Sequence, residues 1–368
     1  MSRGDSMSEE RNRAAALDSL IKAGPALLRD LYDLPEPIAS VYFSMADPTG
    51  DDVALRRRMV RHHLLRAATG TVVLGAVEEA LGDVPQGPGA VAVFVGRDGS
   101  VRTFTMPEAD LTTDRVSRSA LPEVVPFLRW QQYRPAYVLA ALGRTGTEVS
   151  VRHSPWSEVT TITVPAPGDG NGNGNGNGNG NGASEAVTDA LSSSGARLLI
   201  VTGDARAVQS FQGRLPAWAL QRVQVEAVPE ERRTQADRGK TTPVDLAAMV
   251  DARLRETVAA VINGSDPENG GDAPAGQGVS EVIRALARGE LRELLVGSGG
   301  AEDSAWFGPG PTDIAETASG LDVPDTEKRH GPVADVLIRA ATLTDAEVAI
   351  LPVEMSEALH QGVGGIRR

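Results

Sequence analysis

Six consecutive Asn-Gly dipeptides, Asn171 through Gly182, stand near the middle of this 368-residue chain. Glycine has no side chain to bury and asparagine favours turns, so such a run contributes nothing to a core. With the proline- and glycine-rich residues just before it, the segment 164–182 reads as a linker, a random coil spanning roughly 20 Å on average. Folding must therefore happen on either side of it. At roughly 100–150 residues per domain the chain has room for two or three cores, and three are expected. The apolar fraction is an ordinary 41%, so the 40 glycines and 23 prolines point to connections rather than to a fibrous protein.

Before the tract, Ala16, Leu20, Ile21, Leu27, Leu28 and Leu31 recur at helical spacing, and Gly24-Pro25 breaks the run into a helical hairpin. Residues 38–45 read as a strand and residues 53–68 as a helix, with a short helix to Leu81. Residues 90–95 and 101–106 are β-rich runs joined by Arg97-Asp98-Gly99-Ser100, and Asp-Gly favours a tight hairpin. A second hairpin pairs 137–142 with 147–152 across a glycine-bounded turn. These elements predict a first domain over 1–153, with a mixed sheet and flanking helices.

After the tract, strands at 197–201 and 223–227 alternate with helices at 184–191 and 204–212, the latter N-capped by Asp204. That rhythm means a parallel sheet. A long helix over 243–262 ends this middle domain, placed at 154–263, and a second linker occupies 264–277. The last domain, 278–368, repeats the rhythm: helix 279–287, strand 291–296, helix 333–342, strand 347–351 and a Gly/Arg tail. The fold class is therefore α/β, in three domains.

The chain contains no cysteine, which removes disulfides, thiolate zinc sites, iron–sulfur clusters and a cysteine nucleophile together. Met1 to Glu10 is polar, and no 18-residue apolar run occurs, so a cytoplasmic protein with no membrane partner is expected. Lys and Arg number 36 against 49 acidic residues, a formal charge of −13 that opposes general nucleic-acid binding and gives no reason to expect DNA as a partner. Any RNA contact must be local.

Motifs for chemistry are weak. Gly239-Lys240-Thr241 resembles the end of a phosphate-binding loop, but position 234 is Thr234 where that loop needs glycine. The histidines, His62, His63, His153, His330 and His360, contain no i, i+4 pair for zinc. Ser298 lacks the Gly-x-Ser-x-Gly elbow of a hydrolase. No catalytic, metal or cofactor residue is assigned. The cationic run Arg56, Arg57, Arg58, Arg61, His62 and Arg66 departs from the acidic average, and Arg58, Arg61 and His62 share one helical face. Arginine's planar fork suits bidentate phosphate contacts, so this helix is the first candidate for RNA. Arg232, Arg233 and Lys240, with Arg238, form a second.

Three stretches carry a resemblance: 137–149, Arg197-Leu-Leu-Ile-Val-Thr-Gly-Asp204 through Leu215-Pro216, and 279–296. The C-terminal phrases Ala334-Asp-Val-Leu-Ile-Arg339, Glu347-Val-Ala-Ile-Leu-Pro352 and Gly362-Val-Gly-Gly-Ile-Arg-Arg368 add to it. In this order they resemble the bacterial branch of the archaeal-eukaryotic peptide-chain release factor family, which includes Pelota and the bacterial hibernation factor Balon. The resemblance implies an RNase H-like middle domain and a last domain, an α/β/α sandwich, similar to kink-turn-binding ribosomal proteins. It also implies docking in the ribosomal A site against rRNA and an approach to EF-Tu or another translational GTPase. Release factors hydrolyse peptidyl-tRNA with a Gly-Gly-Gln loop. That string is absent here, and the nearest, Gly276-Gln277-Gly278, lies ahead of the last domain. A hibernation or protection factor for idle ribosomes is the reading that follows; a peptidyl-tRNA hydrolase in rescue and a stress-related protein-binding adaptor are the alternatives.

Overall fold

The computed structural model describes residues 25–45, 50–82, 89–107, 109, 111, 113–134, 137–143, 146–152, 160–165, 182–194, 196, 198–222, 224–228, 246–264, 275–298 and 303–368. They form three α/β modules in chain order.

The first holds α1 (Pro25–Tyr32), β1 (Ile38–Ser44), α2 (Gly50–Arg66), α3 (Thr71–Gly82), β2 (Gly89–Val95), β3 (Val101–Pro107), β4 (Arg115–Ser119) and α4 (Val125–Gln132). Its sheet has the order β3-β2-β1-β4, antiparallel throughout. The β2–β3 hairpin turns where expected, because Gly99 takes φ +88° and the Asp98 carboxylate accepts from the Ser100 amide at 2.9 Å. Every residue of β1 and β2 is buried, so the two strands read as continuous apolar runs without alternation. The reason is that both faces are covered: Val41, Phe43 and Val93 pack with α2 and α3, and Tyr42, Phe94 and Phe104 face the other way.

The middle module contains β5 (Tyr137–Leu142), β6 (Gly146–Arg152), β7 (Thr160–Pro165), α5 (Gly182–Ser194), β8 (Leu198–Gly203), α6 (Ala205–Gln212), α7 (Ala217–Arg222), β9 (Gln224–Val228) and the first half of α8 (Leu246–Asn263). The sheet order is β7-β6-β5-β8-β9, with three antiparallel strands and then two parallel ones. Numbered within the module this is 3-2-1-4-5, the RNase H-like arrangement. Helices α5 and α6 cover one face through Val187, Leu191, Val208 and Phe211, and Met249 of α8 lies on the other with Leu139 and Ile200. Asp204 caps α6 as its sequence suggests, its Oδ1 accepting from the Arg206 and Ala207 amides at 2.8 and 3.2 Å.

This sheet moves a boundary. The hairpin over 137–152, expected to close the first domain at 153, belongs to the middle module because β5 pairs in parallel with β8 from beyond the Asn-Gly tract. Compact units divide near Gln132 and Arg253 instead. The mixed pairing expected of the first sheet is thereby found in the second. Val164 and Pro165 end strand β7, so the linker's first residues pair with β6.

The third module comprises β10 (Ala275–Gln277), α9 (Val279–Ala287), β11 (Leu291–Gly297), β12 (Ser304–Phe307), β13 (Ile314–Ala315), β14 (Arg329–Pro332), α10 (Val333–Leu343), β15 (Glu347–Leu351), α11 (Val353–Ser356) and β16 (Val363–Arg367). Its main sheet runs β10-β16-β11-β15. The glycine-rich tail is thus an inner strand. A side chain would be crowded there: a Cβ on Gly365 would stand 2.6 Å from Leu291 Cδ1 and 3.1 Å from the Glu293 carbonyl, and one on Gly364 would stand 3.1 Å from Val261 Cγ1 of α8. A small sheet, β13-β12-β14, inserts between β11 and α10.

The first and third modules share one core, in which Leu28, Leu31, Phe94, Phe127 and Trp130 join Val282, Leu286, Val336 and Leu337. Helix α10 lies against α1 and is buried from Val333 to Thr342. Arg29 pairs with Asp345 at 2.6 Å and Arg329 with Glu36 at 2.6 Å at the edges of this junction.

Candidate nucleic-acid interface

Helix α2 carries the arginine run, and burial of Val60 and Leu64 fixes which way it turns. The arginines then divide by task. Arg56 faces inward: its Nε donates to Asp114 Oδ2 at 2.8 Å, its other nitrogen reaches Asp114 Oδ1 and the Ser44 carbonyl, and its guanidinium lies 4.4 Å from the Phe43 ring centroid. The hydrogen bond to Asp114 raises its pKa further, against the opposing effect of burial. Arg56 is a structural strut, with its Nε and Nη2 donors already committed.

Arg57 donates to the Leu81 carbonyl at the end of α3, and Arg61 is bound to Glu78 on the same helix. Arg58 extends along α2, its Nε 3.3 Å from the Ala54 carbonyl. That leaves Arg58, His62 and Arg66 exposed, with no ion pair among the described residues, at i, i+4, i+8 spacing along one side. They are the part of the expected cluster available to phosphate. Leu55 and Met59 stand among them, about half exposed.

Arg232, Arg233 and Lys240 lie outside the described residues, as does Gly239-Lys240-Thr241. His330 sits against Trp306 in the small sheet, ring centroids 5.3 Å apart, far along the chain from the α2 histidines. The Gly276-Gln277-Gly278 string is strand β10 running into α9. Gln277 pairs with Gly364 in the backbone ladder, its side chain reaches the Val261 carbonyl, and Gly278 takes φ +84° under His360. Both neighbours hold that glutamine, so it forms no loop tip.

Sequence reasoning missed the acceptors that consume the arginines. Asp114 and Glu78 come from β4's approach and from α3, and only the Glu78-Glu79 pair in an otherwise apolar helix hinted at them. Among the described residues, no helix is long and apolar enough to cross a membrane.

The structure is thus a three-module α/β chain with an RNase H-like centre. No family model matches it. Two curated proteins of Mycobacterium tuberculosis, uncharacterized protein Rv2629 (strain H37Rv) and uncharacterized protein MT2704 (strain CDC 1551), are each 27% identical over 317 residues, covering 80% of this chain and 83% of theirs. Among solved structures, Dom34 of S. cerevisiae, a translation termination-like factor, is similar over 76% of this chain and 78% of its own, at 11% identity and a TM-score of 0.40. Archaeoglobus fulgidus Pelota gives 14% identity and a TM-score of 0.30, with 95% of this chain and 93% of that one covered. The archaeal termination factor aRF1 gives 15% and 0.23, over 93% of this chain and 96% of that one.

Proposed function

We propose that this protein is a ribosome-associated translation factor that occupies the A site of idle ribosomes and performs no release chemistry. The observation that supports it is the chain order of the modules. An antiparallel sheet, an RNase H-like sheet and an α/β/α sandwich follow one another, carrying the release-factor-like phrases on β5–β6, β8–α6 and α9–β11. Gly-Gly-Gln is absent from the sequence, and the one glycine–glutamine string that comes near is a paired strand. Contact with rRNA falls to Arg58, His62 and Arg66, and EF-Tu or another translational GTPase is the cooperating partner.

Sucrose-gradient sedimentation with vacant ribosomes at two salt concentrations tests this. Binding is expected to weaken as salt rises, and in an Arg58→Glu/Arg66→Glu variant the log–log salt slope is expected to fall by roughly 1.4, at about 0.7 per lost phosphate contact. Absence of co-sedimentation at the lower salt sinks the reading. Release of labelled peptide from stalled complexes would replace it with a hydrolase.

A further inference from the structure

The outward side of α2 carries two rows of side chains, each stepping four residues at a time. One is the row of donors already described, Arg58, His62 and Arg66. The other, set beside it, is Leu55, Met59 and His63. Residues at i and i+4 lie about 6 Å apart along a helix axis, so the rows run side by side for roughly two turns. Leu55 and Met59 are 48% and 53% exposed, and His62 and His63 are exposed with ring centroids 6.5 Å apart. One turn beyond His63, the exposed Arg118 of edge strand β4 donates to the Ala67 carbonyl at 3.0 Å, so the second row also ends on an arginine. From Val53 to Arg66 the helix has no acidic residue, on a chain whose formal charge is −13.

Charge alone does not account for the second row. Duplex RNA keeps its bases stacked inside and presents phosphates and 2′-hydroxyls, polar groups that Leu55 and Met59 cannot hydrogen-bond. An unpaired strand has a phosphate edge and a base edge, and every base has an apolar face. Laid along α2, it sets its phosphates on the donor row and its bases on Leu55, Met59 and the His63 ring. Imidazole is one of the planar groups on which splayed bases stack. A partner helix would need a groove for its apolar side, whereas this side of α2 is convex and the apolar residues behind it, Val60 and Leu64, are buried.

We propose that the two rows of α2, with Arg118 at their end, form a binding site for unpaired RNA, phosphates on Arg58, His62 and Arg66 and bases on Leu55, Met59 and His63. The proposal rests on the ribosome reading and narrows it: the rRNA that meets this helix is a loop or a bulge and not a duplex.

The test titrates the full chain into a fluorescein-labelled, unstructured RNA of about 12 nucleotides and into the same strand annealed to its complement, read by anisotropy. The single strand is expected to bind at least roughly fivefold tighter than the duplex at equal salt. Leu55→Ser with Met59→Ser should weaken the single strand by about that factor and leave the duplex affinity and the salt slope unchanged. Met59→Trp should tighten the single strand severalfold by offering a larger stacking face. Effects of opposite sign separate base contact from misfolding. Equal affinity for strand and duplex, indifference to the Leu55 and Met59 substitutions, or no RNA binding would overturn the proposal, and ribosome co-sedimentation that persists in any of these cases leaves the A-site reading standing without it. A single-strand preference that follows these substitutions, with no ribosome co-sedimentation, would keep the site and sink the A-site reading. Displacement of the strand by an acidic Leu/Glu peptide at a lower concentration than by unlabelled RNA would overturn the proposal by giving the face to a protein.

Discussion

Asp335, near the start of α10, is 4% exposed, and its Oδ1 has no hydrogen-bond partner. Burial pushes its carboxyl from an ordinary 3.8 up to about 8, with the nearby Glu123 adding to the effect and the Val124 amide opposing it. The folded state therefore holds a proton between pH 4 and 8 that the unfolded chain has released. Stability contributed by this group is complete below pH 4, declines as pH rises, and levels off above 8. From pH 5 to 7.5 the loss from this residue comes to about 3 kcal/mol, at about 1.4 kcal/mol per pH step across most of the window. Asp335→Asn keeps the shape of the neutral acid and cannot ionise. Urea unfolding followed by tryptophan fluorescence, where Trp130 belongs to the same core, should give the variant a curve flatter than the wild type by about that amount. The two proteins should be nearly equal at pH 4. Parallel stability curves from pH 4 to 8 would refute the reasoning, for they would mean that the Asp335 carboxyl ionises in the folded protein as readily as in water.

Two further substitutions test the packing. Gly365→Ala places a methyl 2.6 Å from Leu291 Cδ1 and 3.1 Å from the Glu293 carbonyl in an inner strand, and should cost about 1–3 kcal/mol in urea unfolding; an unchanged midpoint would mean that β16 is not where it is described. Asp204→Ala removes the α6 cap and should cost about 1 kcal/mol, confined to the middle module, which hydrogen exchange at β8 and β9 would detect. Spread of that effect to β1 and β2 would contradict the division of the chain into two compact units.

Local signals made most elements legible. Apolar runs bounded by turn residues located β1, β2, β5, β8, α9 and β15 within a few residues, and the Asp-Gly turn placed a hairpin correctly because its geometry is decided by two residues. Pairing across long separations was not legible. Nothing within 137–152 says that β5 will lie beside β8, whose strand begins at Leu198, 46 residues after Arg152 ends the hairpin. The tail over 362–368 read only as a Gly/Arg tail, not as a strand, because glycine is a poor strand former. Its β role comes from pairing with β10 and β11, and its glycines suit neighbours that crowd a Cβ, both tertiary facts. At the site, the concentration of arginine was plain. Its division was not, because Arg56 looks like Arg58 in sequence and differs only in meeting Asp114.

The core shared by the first and third modules also bears on synthesis. The face of the first sheet that carries Tyr42, Phe94 and Phe104 is completed by α9 and α10, so its cover is translated on the order of 200 residues after β1 to β4 are made. At roughly 5–20 residues per second that interval lasts about 10–40 s. Throughout it a nascent chain holds an unfinished aromatic surface, while the intervening RNase H-like module has all of its own strands and can close first. The order of folding is therefore expected to run from the middle outward, against the order of translation.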